Sequence, residues 1–167
     1  MKESDLSVHC HIESSDPGWV VDEGKLTRLV SQCLEFMQSD LVGIRGMHHA
    51  VAVSCFAVPT ERMRQLNRQH RQIDATTDML SFPLGYAAPG RGWVLGDIVI
   101  CLDAVSDKAG ASGNSLDDQL TFSLVHSVLH LVGYDHASER DREAMEAREE
   151  AVFDQLSVPS GLVRRAS

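Results

Sequence analysis

Alternating and continuous apolar runs predict four β-strands in this chain. Residues 6–13 alternate apolar and polar side chains, which is the period of a strand with one buried face. Residues 50–58 form a dense apolar run and predict a strand buried on both faces. Two further strands are predicted at 79–84 and 94–102, on either side of a glycine- and proline-rich loop at 85–92.

Apolar positions three and four residues apart predict helices elsewhere. Asp22 is predicted to cap a first helix, and Thr60 a second that extends to about residue 72. After Ser115 an apolar stripe predicts a third helix, which Gly133 is placed to end. A fourth helix, rich in acidic and basic residues, is predicted at about 138–156.

The mixed order of these elements predicts an α+β fold, in which about five helices pack on a small mixed four-stranded sheet. A chain of 167 residues is long enough to fold as one domain, which we place at residues 1–157. Residues 158–167 contain a proline, a glycine and two arginines, and we expect them to form a flexible tail.

The charge and hydrophobicity of the chain limit which partners, such as nucleic acids or membranes, it is expected to bind. A net charge of −9 argues against a surface coated in positive charge for nucleic-acid binding. Positive charge is nevertheless concentrated in one predicted helix, at Arg62, Arg64, Arg68 and Arg71. No apolar run is long enough to span a bilayer and the N-terminal residues lack the pattern of a signal peptide, so we expect a cytoplasmic protein with no membrane partner.

Three histidines have the spacing of a metal site. His126 and His130 are four residues apart, so they lie on one face of the predicted helix, one turn from each other. Gly133 lets the backbone leave that helix, and His136, just past the turn, can swing back as a third ligand. Three neutral imidazoles favour zinc, although nickel, cobalt or copper would also accept them. We therefore predict one Zn²⁺ per chain, with Ni²⁺ or Co²⁺ as alternatives.

The ligand count predicts a hydrolytic site. Three protein ligands leave a fourth position open to water, and a bound metal ion can activate that water at neutral pH. Zinc peptidases share the spacing HxxxHxxGxxH, but they have a glutamate general base directly after the first histidine. That residue is Ser127 here, and a serine does not accept a proton at neutral pH. The spacing alone therefore predicts a metal-dependent hydrolase and disfavours a peptidase.

Three segments carry motifs that resemble those of a known family. Residues 126–136, HSVLHLVGYDH, are similar to the signature HGxLHLxGYDH, with Ser127 at the glycine position. Residues 66–71 (LNRQHR) and 77–83 (TDMLSFP) resemble an LNxxYR stretch that leads into TDVLSFP, and residues 95–100 match a third motif, LGDIVI, without change. Together these motifs resemble the YbeY family, the bacterial endoribonucleases of ribosomal RNA maturation, from about residue 50 to residue 153.

The resemblance implies a function and partners. The function is that of a single-strand-specific, metal-dependent endoribonuclease, which acts in ribosomal RNA processing at the 3′ end of 16S rRNA and in ribosome quality control. The implied partners are single-stranded or ribosomal RNA and the small ribosomal subunit with its maturation factors. The implied fold has a zincin-like histidine helix, which is the arrangement found in zinc peptidases.

The resemblance also assigns roles to single residues. The important arginine of the family aligns with Arg71, which we expect to hold a phosphate as a catalytic residue. We expect Arg62, Arg64 and Arg68 to attract the RNA backbone without reading its sequence. Asp135 is expected either to orient a ligating histidine as an outer partner or to cap the turn.

Two other functions stay open. A metal-dependent hydrolase of peptides or small molecules would keep the three histidines but make no use of the arginine helix. A non-catalytic ribosome-assembly factor would keep the metal as a structural element.

Trp93 and Phe82 could stack nucleobases, but core packing is the simpler interpretation for both.

Overall fold

A mixed four-stranded sheet organises the fold. The computed structural model describes residues 6–45 and 49–167, and its strands are β1 (Ser7–Ser14), β2 (Trp19–Val21), β3 (Ala50–Ala57), β4 (Met79–Ala88), β5 (Gly92–Ile100) and β6 (Val163–Arg165). The main sheet has the order β1-β3-β5-β4, in which β1, β3 and β5 are parallel and β4 is antiparallel to β5. A separate short sheet pairs β2 with β6.

Helices cover both faces of the main sheet. They are α1 (Glu23–Phe36), α2 (Gln38–Arg45), α3 (Thr60–Arg71), α4 (Leu102–Ser112), α5 (Leu116–Val132) and α6 (Glu139–Gln155). Ile98 and Ile100 of β5 join the large core with α1 and α5, whereas Val99 between them packs with Met63 of α3 in a smaller cluster. Side chains alternate between the faces of a strand, so β5 separates two cores. The predicted α+β fold with a mixed four-stranded sheet is confirmed.

Local capping explains where the principal helices begin and end. The Asp22 carboxylate accepts a hydrogen bond from the backbone amide of Lys25, and the Ser115 hydroxyl accepts one from that of Asp118. The predicted cap at Thr60 is wrong: Pro59 is the N-cap of α3, and the Thr60 hydroxyl donates a hydrogen bond of 3.1 Å to Asp103. Gly133 ends α5 in the left-handed region at a φ of 112°, as its position in the sequence predicted. Among the described residues, no helix combines the length and the apolar composition needed to cross a bilayer.

Differences between the prediction and the structure include the predicted loop at 85–92 and two helices that were not predicted, α2 and α4. The loop predicted at 85–92 is mostly strand, because β4 and β5 form a hairpin whose pairing extends to Ala88 and Gly92. This part of β4 is exposed and contains a register shift between Pro83 and Tyr86, so it has neither the apolar alternation nor the continuous ladder of a buried strand. Helix α4 was not predicted, because small residues replace most of its apolar stripe and its N-cap, Cys101, makes no side-chain hydrogen bond.

The prediction of a flexible tail at 158–167 is wrong. Leu162 is fully buried, and β6 pairs with β2 in register from Trp19–Arg165 to Val21–Val163. The carboxylate of Asp117, in the first turn of α5, accepts hydrogen bonds of 2.9 Å from the backbone amides of both Gly161 and Leu162. The C-terminal segment is therefore part of the same folded unit as the helix that carries His126 and His130.

Candidate metal centre

The histidines predicted to bind metal converge at the C-terminal end of α5. His126 and His130 lie one turn apart on this helix, and the turn at Gly133 returns the chain so that His136 reaches the same point. One potential ligand nitrogen from each of the three rings lies within 4.8 Å of the other two. The Nε2 atoms of His126 and His130 are 3.1 Å apart. The spacing in the sequence thus correctly indicated a single cluster.

Hydrogen bonds on the outer side of two rings fix their orientation. Nδ1 of His126 contacts the carboxylate of Glu149 from α6, and Nδ1 of His130 is 2.9 Å from the backbone carbonyl oxygen of Tyr134. A carboxylate or carbonyl oxygen accepts a hydrogen bond, so each ring carries its proton on Nδ1. The lone pair of Nε2 is then free on the inner side, which is the arrangement that a metal-binding histidine requires.

Glu149 is a site residue that the sequence analysis missed. It lies 23 residues from His126 within a helix in which acidic residues are frequent, so no local motif marks it. Its position on α6 is nevertheless informative. Met145 and Val152, four residues before and three residues after it, are both buried. A glutamate on the buried stripe of a helix needs a polar partner, and this was the available signal.

Among the described residues, the hydrogen-bond partner of the Asp135 carboxylate is a backbone amide and not a histidine ring. This carboxylate accepts a hydrogen bond of 2.7 Å from the backbone amide of His136. It therefore caps the turn that carries the third histidine, which is the second of the two roles expected for Asp135. The outer contacts to the ligand rings come instead from Glu149 and the Tyr134 carbonyl oxygen.

A second layer of contacts holds Tyr134 in place. The Tyr134 hydroxyl donates a hydrogen bond of 2.7 Å to the carboxylate of Asp40 in α2. The Arg148 guanidinium donates two hydrogen bonds to that carboxylate, at 2.6 Å and 3.2 Å, and a third to the carbonyl oxygen of Phe36. Burial and the Asp40 carboxylate raise the pKa of the Tyr134 phenol, so it stays protonated and continues to donate.

The donor set fits a divalent metal ion of the zinc type. Tetrahedral coordination at 2.0–2.1 Å separates neighbouring ligand atoms by about 3.3 Å, close to the Nε2–Nε2 distance of His126 and His130. Partial burial lowers the pKa of the His130 imidazole, and the neighbouring His126 adds to this effect. The ring is therefore neutral near pH 7, as a ligand must be. Within the described residues the cluster contains three ligands, which is the number typical of an open site.

A cavity of about 210 Å³ lies against this cluster. Its wall includes His126, His130, Arg71, Asp78, Lys108 and Phe122. A second cleft shares Arg71 and His130 with the first and continues past Tyr134 and Asp135. Arg71 therefore borders both openings beside the histidines, which are 55 or more positions further along the chain.

The other arginines of α3 lie outside these two cavity walls. Arg64 donates hydrogen bonds of 2.9 Å and 3.1 Å to the carboxylate of Asp74, so its charge is already balanced. Arg68 also lies close enough to help lower the pKa of Asp74, after the hydrogen bond from Arg64. Arg62 is exposed on the same helix. An RNA-binding role for Arg62, Arg64 and Arg68 stays a prediction, and the contacts of Arg64 weaken it for that residue.

The serine at the motif's glycine position is accommodated within the core. Ser127 is 2% exposed, and its hydroxyl lies 3.4 Å from the sulfur of Met79. Its backbone carbonyl oxygen accepts a hydrogen bond of 3.3 Å from Ser81 on β4. The additional hydroxymethyl group therefore packs between α5 and β4 while the three histidines still converge.

Comparisons with known proteins agree with this geometry. The family model described as Endoribonuclease YbeY matches residues 11–157. The protein named Endoribonuclease YbeY from Pelotomaculum thermopropionicum is 38% identical over 145 residues, covering 83% of this chain and 90% of its own. Its namesake from Moorella thermoacetica is 35% identical over 154 residues, covering 87% of this chain and 96% of its own.

A solved structure has a similar fold. The solution structure of TM1509 from Thermotoga maritima aligns with a TM-score of 0.55 and 25% sequence identity. The alignment covers 87% of this chain and 90% of that one. With a family model that matches most of the chain and relatives aligned over most of their length, this protein belongs to the YbeY family.

Proposed function

We propose that this protein is a metal-dependent endoribonuclease that cuts single-stranded RNA. The observation that carries the proposal is the position of Arg71, which borders the same cavity as His126 and His130. An RNA phosphodiester needs its negative charge balanced on one side and an activated oxygen on the other. A permanently charged guanidinium on the same wall as candidate metal ligands would suit both requirements. The names of the relatives, which are endoribonucleases, support the same class of reaction.

Each group in the cavity has a separate task under this proposal. His126, His130 and His136 would hold the ion, with Zn²⁺ preferred and Ni²⁺ or Co²⁺ as alternatives. A divalent ion bound there supplies Lewis-acid activation of the phosphate or of water. Arg71 is the catalytic residue that clamps the non-bridging phosphate oxygens, since a guanidinium pairs with two oxygens at once and keeps its charge.

The contacts behind the histidines serve the same chemistry. Glu149 and the Tyr134 carbonyl oxygen keep the protons of His126 and His130 on Nδ1, so both rings present Nε2 to the ion.

In the biological setting, we propose that the protein acts in the cytoplasm on ribosomal RNA. The substrate would include the 3′ end of 16S rRNA, and the partners would be the small ribosomal subunit and its maturation factors in processing and quality control.

The test measures metal content and RNA cleavage in the wild type and four variants. His130→Ala should lose both the metal and the cleavage of a single-stranded RNA. Arg71→Ala should keep the metal and lose at least about 100-fold in kcat/KM, whereas Arg71→Lys should recover part of the rate. Arg28→Ala removes an exposed arginine of α1 and serves as the control for charge.

Three outcomes would oppose the proposal. Cleavage that persists in His130→Ala would assign the activity to another site. An Arg71→Ala variant with unchanged turnover would favour a metal-dependent hydrolase of peptides or small molecules, and this can be checked with such substrates. A His130→Ala protein that fails to fold, with a wild type that binds RNA but never cuts it, would favour an assembly factor with a structural metal.

A further inference from the structure

Phe122 is an exposed aromatic residue on the wall of the candidate catalytic cavity. Its side chain is 45% exposed, although it lies on α5 between the buried Thr121 and Ser123. A single exposed apolar side chain is common on protein surfaces, so the informative feature of Phe122 is its place on the wall of this cavity. The proposed metal and phosphate contacts at the histidines and Arg71 do not account for this side chain.

The ring continues the line of the ligand histidines. Phe122, His126 and His130 follow one another at intervals of four residues, so they share one face of α5. Four residues correspond to about 6 Å along the helix axis. A nucleotide that neighbours a phosphate held at the histidines would therefore have its base beside Phe122.

Phe122 is supported from behind. The rings of Phe122 and Phe153 from α6 are 5.3 Å apart between centroids and tilted by 57°. An aromatic pair with this geometry limits the movement of the exposed ring. Phe122 therefore offers a partner a surface whose position is already fixed, so little side-chain entropy is lost on binding.

Charges on the same cavity wall indicate what kind of molecule the ring meets. Arg71 and Lys108 both line the cavity with Phe122. The Lys108 ammonium lies 3.3 Å from the carboxylate of Asp78, which also accepts a hydrogen bond of 2.8 Å from Ser123. Asp78 thus holds Lys108 against the wall while the lysine side chain remains 56% exposed. The wall thus combines an apolar ring with the Arg71 guanidinium and with a Lys108 ammonium that shares its charge with Asp78. This combination matches a flat base joined to phosphates.

From this arrangement we infer that Phe122 is a stacking platform for an unstacked nucleobase of single-stranded RNA, with Lys108 as a contact for the adjoining phosphate. This inference rests on the proposed ribonuclease function and specifies how the strand lies in the site. Stacking on an aromatic side chain accepts any base but requires that the base be free of its neighbours. The platform would therefore select single strands over duplexes without reading sequence.

The test mixes metal-loaded protein with short single-stranded RNA probes that carry 2-aminopurine at one position, and binding is read before cleavage proceeds. Binding to the wild type should quench the fluorescence of the base that stacks. Phe122→Leu keeps an apolar side chain against Phe153 but removes the stack, and it should bind about 5- to 100-fold more weakly. Phe122→Trp should bind at least as well as the wild type. Phe36→Leu, which alters a phenylalanine of α1 that is 43% exposed, should bind as the wild type does.

An abasic probe separates stacking from a change in folding. RNA without the base at the quenched position should bind the wild type as weakly as intact RNA binds Phe122→Leu, and the two changes together should cause no further loss. The stacking role of Phe122 would be contradicted if the wild type and Phe122→Leu bound intact RNA equally well. It would also be contradicted if the wild type bound intact and abasic RNA equally well. If the wild type then still cuts RNA, the proposed function stands. A wild type that binds no RNA would overturn both.

Discussion

The Glu149 carboxylate contacts Nδ1 of His126 on the side of the ring that faces away from the metal cluster. Glu149 is 9% exposed, so the contact lies in a region where electrostatic interactions are weakly screened. This contact connects α6 directly to the first ligand of α5. It also explains how an acid-rich surface helix contributes to the chemistry of the site.

Replacement of Glu149 by glutamine should weaken metal binding. The amide can still accept a hydrogen bond from Nδ1, but it lacks the negative charge that raises the basicity of the imidazole. Loss of such an outer contact typically lowers metal affinity by about 10- to 100-fold. Competition with a chelator of known affinity measures the change. Glu150→Gln is the matched control, since this neighbouring residue is exposed, and equal affinities in the two variants would contradict the role of Glu149.

Replacement of Tyr134 by phenylalanine should weaken the brace behind His130. The variant keeps the backbone carbonyl oxygen that contacts His130 but loses the hydrogen bond to Asp40. We expect the free energy of unfolding to fall by about 1 kcal/mol, and metal affinity to fall several-fold because the turn is held less firmly. Tyr86→Phe, on the exposed part of the hairpin, is the control. Denaturant titration of both variants measures the change in stability. Identical unfolding midpoints would contradict a stabilising role for the hydrogen bond between Tyr134 and Asp40.

Two glycine substitutions should change stability in opposite directions. Gly96 has a φ of +153°, and a Cβ atom there would overlap the carbonyl oxygen of Phe82 on β4. Gly96→Ala should therefore lower the free energy of unfolding by at least about 2 kcal/mol. Gly110 lies in α4 with open space around it, so Gly110→Ala should raise stability by roughly 0.5 kcal/mol. Urea denaturation tests both, and a tolerated Gly96→Ala would argue against the close approach of β4 and β5.

The contacts of Asp103 should make stability depend on acidic pH. The hydrogen bond from the Trp19 indole, with those from Thr60 and Arg165, holds the pKa of the Asp103 carboxyl below its usual 3.8. Because the folded pKa is depressed, the stabilisation is complete above the unfolded pKa and is lost as pH falls through the folded one. Asp103→Asn should cost up to about 1 kcal/mol at pH 7, since the group is largely solvent-screened.

The pH series for this variant has a clear control. The difference in unfolding free energy between wild type and Asp103→Asn should shrink as pH falls below 3.8, because the wild-type carboxyl then becomes protonated. Asp107→Asn, an exposed residue of the same helix, should show no comparable difference at pH 7. The difference in unfolding free energy between wild type and Asp103→Asn could instead stay constant from neutral to strongly acidic pH. That result would show that the charge of Asp103 does not cause the difference.

Local patterns in the sequence predicted the parts of the site that lie close together in the chain. The four-residue interval of His126 and His130 and the glycine at 133 depend only on helix geometry, which a single sequence reveals. The cap at Asp22 was predicted for the same reason, whereas the cap predicted at Thr60 was wrong, because its hydroxyl bonds to Asp103 of another helix. These predictions needed no knowledge of how the helices pack.

Such local patterns could not predict contacts between segments that are far apart in the sequence. Glu149 approaches His126 only because α6 packs on α5, and the tail docks because two amides reach Asp117. Residues 158–167 form a short segment with a proline and a glycine and no clear apolar period, so the burial of Leu162 leaves little trace in the sequence. The pairing of Asp40 with Arg148 joins residues 108 positions apart and equally follows from tertiary packing.

The adjacent positions Arg148 and Glu149 serve different ligand histidines, one through Asp40 and Tyr134 and the other by direct contact. Unwinding of one turn of α6 would therefore release both rings together. By thermodynamic reciprocity, an ion held by those rings would protect this turn from opening, and its backbone amides would exchange with solvent deuterium more slowly in the loaded protein. The C-terminal half of α6 would in this way report the occupancy of a centre to which it contributes no ligand.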